Sequence, residues 1–137
     1  MDNVLFPSLY EEDYILRSLG SIVTQPDVAL TELVANAWDA GASHVTLSIP
    51  EEKNQLLYIE DDGVGMSELE FQHHWMTLRY NRLKEQGRNV IFPNGEKGNR
   101  CAFGRNGVGR HGLFCFGNEY KVITIKDGKK LTFKINT

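Results

Sequence analysis

Between Pro26 and Gly41 the apolar residues Leu30, Leu33, Val34, Ala37 and Trp38 recur at the spacing of a helix with one buried stripe. Pro26 stands at the first turn, where a helix tolerates proline, and Gly41 where helices commonly end. Such a helix needs a second layer to cover its stripe. Val45, Leu47 and Ile49 alternate with His44, Thr46 and Ser48, the period of a half-buried strand. After a turn over 50–54, the run from Leu56 to Ile59 reads as its neighbour. Ser67 and Glu70 form a capping box for a further helix carrying Leu69, Phe71, Trp75 and Met76. Asp127-Gly128 divides the apolar runs 122–125 and 131–135 and predicts a tight hairpin. Another helix is expected over about 11–21. Elements mixed in this way predict an α+β fold: a two-layer sandwich with one mixed, mostly antiparallel sheet and helices on one face.

The 137 residues are enough for one domain, taken as 1–137. A net charge of −3 argues against a surface built wholly for nucleic acid. No apolar run approaches the length of a membrane span, and the start of the chain lacks the pattern of a secretory signal. Two cysteines, Cys101 and Cys115, are too few for a disulfide framework and lack zinc spacing, so a reducing cytoplasm is the expected compartment. From Tyr80 to Gly107 the chain is rich in glycine, asparagine and charge with little periodicity, which predicts a long functional or mobile loop. Between Arg79 and His111, eight basic residues (Arg79, Arg82, Lys84, Arg88, Lys97, Arg100, Arg105 and Arg110) face only Glu85 and Glu96. Such a loop suits a polyphosphate, a nucleic-acid patch or plain solvation.

Three motifs carry candidate chemistry. Glu32, Asn36 and Asp39 fall at i, i+4 and i+7 and share one helix face, opposite the apolar stripe. A carboxylate and an amide one turn apart offer a base and a hard oxygen donor of the kind Mg²⁺ takes; a solvated polar face would look the same. Asp61-Asp62-Gly63-Val64-Gly65-Met66 follows a strand, where Asp61 can accept from an amine such as adenine N6 and the glycines allow close backbone approach, unless this is a plain turn. Gly104-Arg105-Asn106-Gly107-Val108-Gly109-Arg110-His111-Gly112 precedes the apolar run 113–116. Glycine-rich backbone entering a helix presents N–H groups to phosphate.

In this order and spacing the three motifs resemble the N box and two glycine boxes of the GHKL superfamily, which includes gyrase, the ninety-kilodalton heat-shock chaperone, histidine kinases and MutL. The likeness covers about Ala29 to Phe116. It implies the Bergerat α/β sandwich, with ATP and Mg²⁺ as cofactors. Glu32 would be the catalytic base and Asn36 the Mg²⁺ ligand. Nucleotide contacts would come from Asn36, Asp39, Ala40, Asp61, Gly63, Gly65 and Met66, and from Gly104, Arg105, Asn106, Gly107, Val108, Gly109 and Arg110. Asp61 would read adenine, and 77–107 would form an ATP lid.

The Asp39-Ala40-Gly41-Ala42 ending is similar to the MutL, MORC and chaperone branch. Members of the superfamily continue through further strands and a second domain, so the chain is expected to be an N-terminal piece with a truncated sheet. The leading expectation is an ATPase whose turnover drives a conformational or dimerisation cycle in the full protein. Alternatives are a nucleotide sensor with little turnover, a nucleic-acid-associated ATPase of the MutL or MORC type, and, least favoured, a phosphotransfer kinase. A homodimer or nucleic acid would then be the partner, with no membrane.

Overall fold

The computed structural model describes residues 17, 19–77, 81–95, 97–104 and 109–136. The expected helix over 11–21 lies almost wholly outside them; a 3-10 turn at Gly20–Val23 leads into helix α1, Pro26–Asp39. Extended Gln25 and Pro26 set the start of α1. Gly41 closes it with φ 74°, and a side chain there would run into the backbone of Ile91 and Phe92. The buried line of α1 is Ala29, Leu33 and Ala37, with Ala35 beside it. Val34 and Trp38, expected inside, are partly exposed. Ala29 is small where a neighbour comes close: a Cβ on Gly112 would lie 3.1 Å from the Ala29 carbonyl oxygen.

The α+β class holds. Strands β1 (Val45–Ser48) and β2 (Tyr58–Asp61) pair, as do β3 (Asn89–Ile91) and β4 (Lys97–Cys101), and β5 (Glu119–Lys126) and β6 (Lys129–Asn136). Every pairing among the described residues is antiparallel, and the strands form three two-stranded sheets. The Asp127-Gly128 turn is present, with both residues at positive φ and Lys126 opposite Lys129.

Ser67 caps helix α2, Glu68–Glu70: its hydroxyl accepts from the Glu70 N–H, and the Glu70 carboxylate accepts from the Ser67 N–H at 2.7 Å. The helix then widens into a π turn, Phe71–Trp75. The stretch expected as a featureless loop contains helix α3, Arg82–Gln86, and the β3–β4 hairpin. Its apolar run is too short to show a period. Val90 is nevertheless fully buried, and at the Pro93-Asn94-Gly95 turn the Gly95 N–H donates to the Phe92 carbonyl at 2.8 Å. A 3-10 helix, Gly109–Cys115, follows and lies along α1.

One core cluster joins the π turn, the 3-10 helix and the inner face of β5–β6. Phe71, Tyr120 and Ile135 form its centre, and the Phe71 and Phe133 rings stack at 3.6 Å. The opposite face of β5 exposes Ile123 (57%) and Ile125 (61%). The strand expected to run to Ile49 ends at Ser48, and Ile49, expected on the buried side, is 64% exposed. No helix among the described residues is long and apolar enough to cross a membrane.

Candidate functional site

Helix α1 is the common support of all three motifs. Gly109 abuts Glu32 so closely that a Cβ there would collide with the carboxylate oxygen Oε2 and lie 3.2 Å from the Glu32 Cβ. The Gly104 N–H donates to Asp39 Oδ2 at 2.8 Å. At Gly63 a Cβ would meet Ala40 at 2.7 Å, and the Val64 N–H donates to the Ala40 carbonyl at 2.8 Å. Residues distant in sequence therefore meet at successive points on one rigid element. Burial first, and the Asp39 charge second, raise the Glu32 carboxyl above its ordinary value, as suits a proton acceptor. The Nδ2 of Asn36 is buried with no hydrogen-bond partner among the described residues, and such an unmet donor, worth about 1–3 kcal/mol, favours a ligand that offers the amide an acceptor.

The second motif is built on the β2 end. Asp61 is exposed, and its Oδ1 accepts from the Gly63 N–H at 2.9 Å, which fixes the turn. Asp62 accepts from the N–H groups of Ser43 and His44 at 2.7 and 2.9 Å and from the Ser43 hydroxyl at 2.7 Å. The His44 and Ser43 hydrogen bonds hold its carboxyl well below the usual carboxylate range. Gly65 presses on the Ile125 carbonyl, and the Met66 N–H donates to the Thr124 hydroxyl at 2.7 Å. Thr124 is a buried polar residue inside an apolar strand, a signal that the sequence reading passed over.

Of the third motif, Arg105, Asn106, Gly107 and Val108 lie outside the described residues. Arg110, expected at the nucleotide, is buried; its guanidinium donates to the Trp75 and Thr77 carbonyls at 2.8 and 2.7 Å. Tyr120 joins Trp75 Nε1 at 3.1 Å to His111 Nδ1 at 3.0 Å. The indole can only donate, so the phenol oxygen accepts from it, and His111 Nε2 is buried with no hydrogen-bond partner among the described residues. Burial, then the Arg110 charge, lowers the His111 pKa to about 4. Three of the eight basic residues, Arg82, Arg100 and Arg110, are engaged by the protein itself. Arg82 pairs with Asp39, while Arg100 lies 4.2 Å over the Trp38 ring and donates to the Ala42 carbonyl at 2.7 Å.

The family model described as Histidine kinase-, DNA gyrase B-, and HSP90-like ATPase matches residues 23–137. The chain belongs to this ATPase family. A candidate type II restriction enzyme, HgiDII, of Herpetosiphon aurantiacus is 32% identical over 97 residues, or 71% of this chain. The DNA mismatch repair protein MutL of Prosthecochloris aestuarii is 47% identical over 51 residues (37% of this chain), and that of Parabacteroides distasonis 39% over 68 (45%). These matches cover 14%, 8% and 11% of the relatives' own lengths. Membership in the histidine kinase-, gyrase- and HSP90-like family supports ATP binding.

No group of three or more His, Cys, Asp or Glu residues among those described could hold a metal. Mg²⁺ would need one protein oxygen, Asn36 Oδ1, together with phosphates and water, while the unsatisfied Nδ2 of the same amide is a donor suited to a phosphate oxygen.

Proposed function

We propose that this domain binds Mg-ATP along α1 and that the full protein hydrolyses it to drive a conformational or dimerisation cycle. The reading is carried by the convergence of Gly109 on Glu32, Gly104 on Asp39 and Gly63 on Ala40. In it Asp61 accepts from the adenine amine, Gly63, Gly65 and Met66 flank the base, and the glycine-rich backbone beyond Gly104 supplies N–H groups to phosphate. Asn36 supplies the metal donor, and bound Mg²⁺ neutralises phosphate-oxygen charge. Glu32, held one helical turn away, orients water and takes its proton, a role worth about 10²–10⁴ in rate. The arginine fork of Arg110 acts through the fold, leaving its backbone to the ligand.

Titration with ATP, with and without Mg²⁺, tests the binding claim. Nucleotide at a hundredfold excess over Kd should add about 2.7 kcal/mol to stability; no thermal shift at millimolar Mg-ATP would refute it. In the full protein Glu32→Gln should keep ATP affinity and lose hydrolysis. Hydrolysis that persists makes Glu32 something other than the base. The restriction and mismatch-repair names of the relatives favour a second, compatible reading, a nucleic-acid-associated ATPase. DNA binding that weakens steeply with salt would support it.

A further inference from the structure

Asp39 shares the polar face of Glu32 and Asn36, and both of its carboxylate oxygens are engaged by other elements of the fold. Its Oδ1 accepts from the Phe103 N–H at 2.6 Å and its Oδ2 from the Gly104 N–H at 2.8 Å. The same Oδ2 faces Arg82 Nε at 3.6 Å, with the two side chains only 11% and 8% exposed. Arg82 also donates to the Asp39 carbonyl at 3.3 Å and to the Gly87 carbonyl at 3.3 Å. Arg82 opens helix α3 ahead of strand β3, whereas Phe103 and Gly104 follow strand β4. One carboxylate therefore ties down both feet of the β3–β4 hairpin. Trp38, the preceding residue, reinforces the exit side: its Nε1 donates to the Cys101 carbonyl at 2.8 Å, and Arg100 from β4 covers its ring.

We propose that Asp39 is a positioning residue, a clamp that fixes the β3–β4 hairpin to the end of α1 and sets where the second glycine motif begins, instead of a direct nucleotide contact. This deepens the ATP-site reading and rests on it for the link to ligand; the clamp itself needs no nucleotide. A carboxylate already receiving two backbone N–H groups and facing a guanidinium has little capacity left for a ribose or base, and it repels phosphate. The backbone just beyond Gly104 is the stretch expected to meet the phosphates, and its near end is held three residues along the helix from Asn36.

Amide hydrogen exchange in nucleotide-free protein provides the primary test, with Asp39→Asn and Asp39→Ala compared to the parent. Asparagine keeps one acceptor oxygen but loses the charge, so it should rescue part of what alanine loses. Exchange over Asn89–Ile91 and at Phe103 and Gly104 should quicken about tenfold in the asparagine variant and more in the alanine variant, while β5–β6 stays protected and reports an intact fold. If alanine unfolds the chain, the asparagine variant decides. ATP affinity should fall less than tenfold, through a loosened hairpin. Unchanged exchange at Phe103 and Gly104 overturns the clamp. A loss of ATP affinity beyond tenfold overturns it too, because Asp39 would then be a ligand. A parent that binds no ATP refutes the function proposed above and leaves the exchange comparison to decide the clamp alone.

Discussion

Gly109 leaves the space that the Glu32 carboxylate occupies. The atom a new methyl would strike first is the far end of a flexible side chain, so Gly109→Ala should disturb the fold little, about 1 kcal/mol, the low end for overpacking. It should displace the carboxylate, and hydrolysis by the full protein should fall at least tenfold with ATP affinity changed only a few-fold. Steady-state kinetics beside direct binding measures that split. Since burial and Asp39 raise the Glu32 carboxyl, the acid limb of hydrolysis should lie above the ordinary glutamate value of 4.5, and kcat should be lost as pH falls through it. Asp61→Asn exchanges an acceptor for a group that also donates; calorimetry should show ATP affinity down roughly tenfold to a hundredfold. Glu32 and Asn36 were legible because helical spacing alone puts them on one face. Asp62 and Thr124 were not, because each acts across strands or between elements, at sequence separations of 18 and 58 residues.

Two turns separate the cost of backbone strain from the cost of lost space. Gly128 has positive φ with nothing near its missing side chain, whereas Gly41 combines positive φ with the Ile91 backbone. Gly128→Ala should therefore cost about 1–2 kcal/mol. Gly41→Ala should cost clearly more, because the β3–β4 hairpin must also move; chemical denaturation of both variants checks the order. The 3-10 helix carries a different dependence. His111 is lowered from 6.5 to about 4, so the folded state resists a proton that the unfolded chain accepts. Stability is present above about pH 6.5 and is lost as pH falls towards 4. At about 1.4 kcal/mol per unit, the loss is about 3 kcal/mol. His74, also lowered by burial, adds to the slope in the same direction. Denaturation at pH 7 and pH 5 should show His111→Gln flattening it.

On the scale of the whole molecule, helix α1, the capping box and the 127–128 hairpin were readable because each has a local signature: a long period, a reciprocal cap, a turn dipeptide. The β3–β4 hairpin had none of comparable length, and its order comes from Val90 and from bonds to α1 that no window of sequence contains. Arg82, Arg100 and Arg110 were counted as free charge because the carbonyls, carboxylate and ring they serve lie far away in sequence. Ile123 and Ile125 on the open face of β5 form an apolar surface flanked by Lys121 and Lys130. Sedimentation over a concentration range should show self-association, reduced by Ile123→Thr with Ile125→Thr and with ATP affinity intact. Finally, a helix that serves as the common support also acts as a ruler. Glu32 to Ala40 spans eight steps, about 12 Å, and one inserted residue would swing everything beyond it by about 100°. Chain length should therefore be invariant across 32–40 among relatives, with insertions and deletions gathering at the 50–56 turn and at the 93–95 turn, where no measured distance passes through the change.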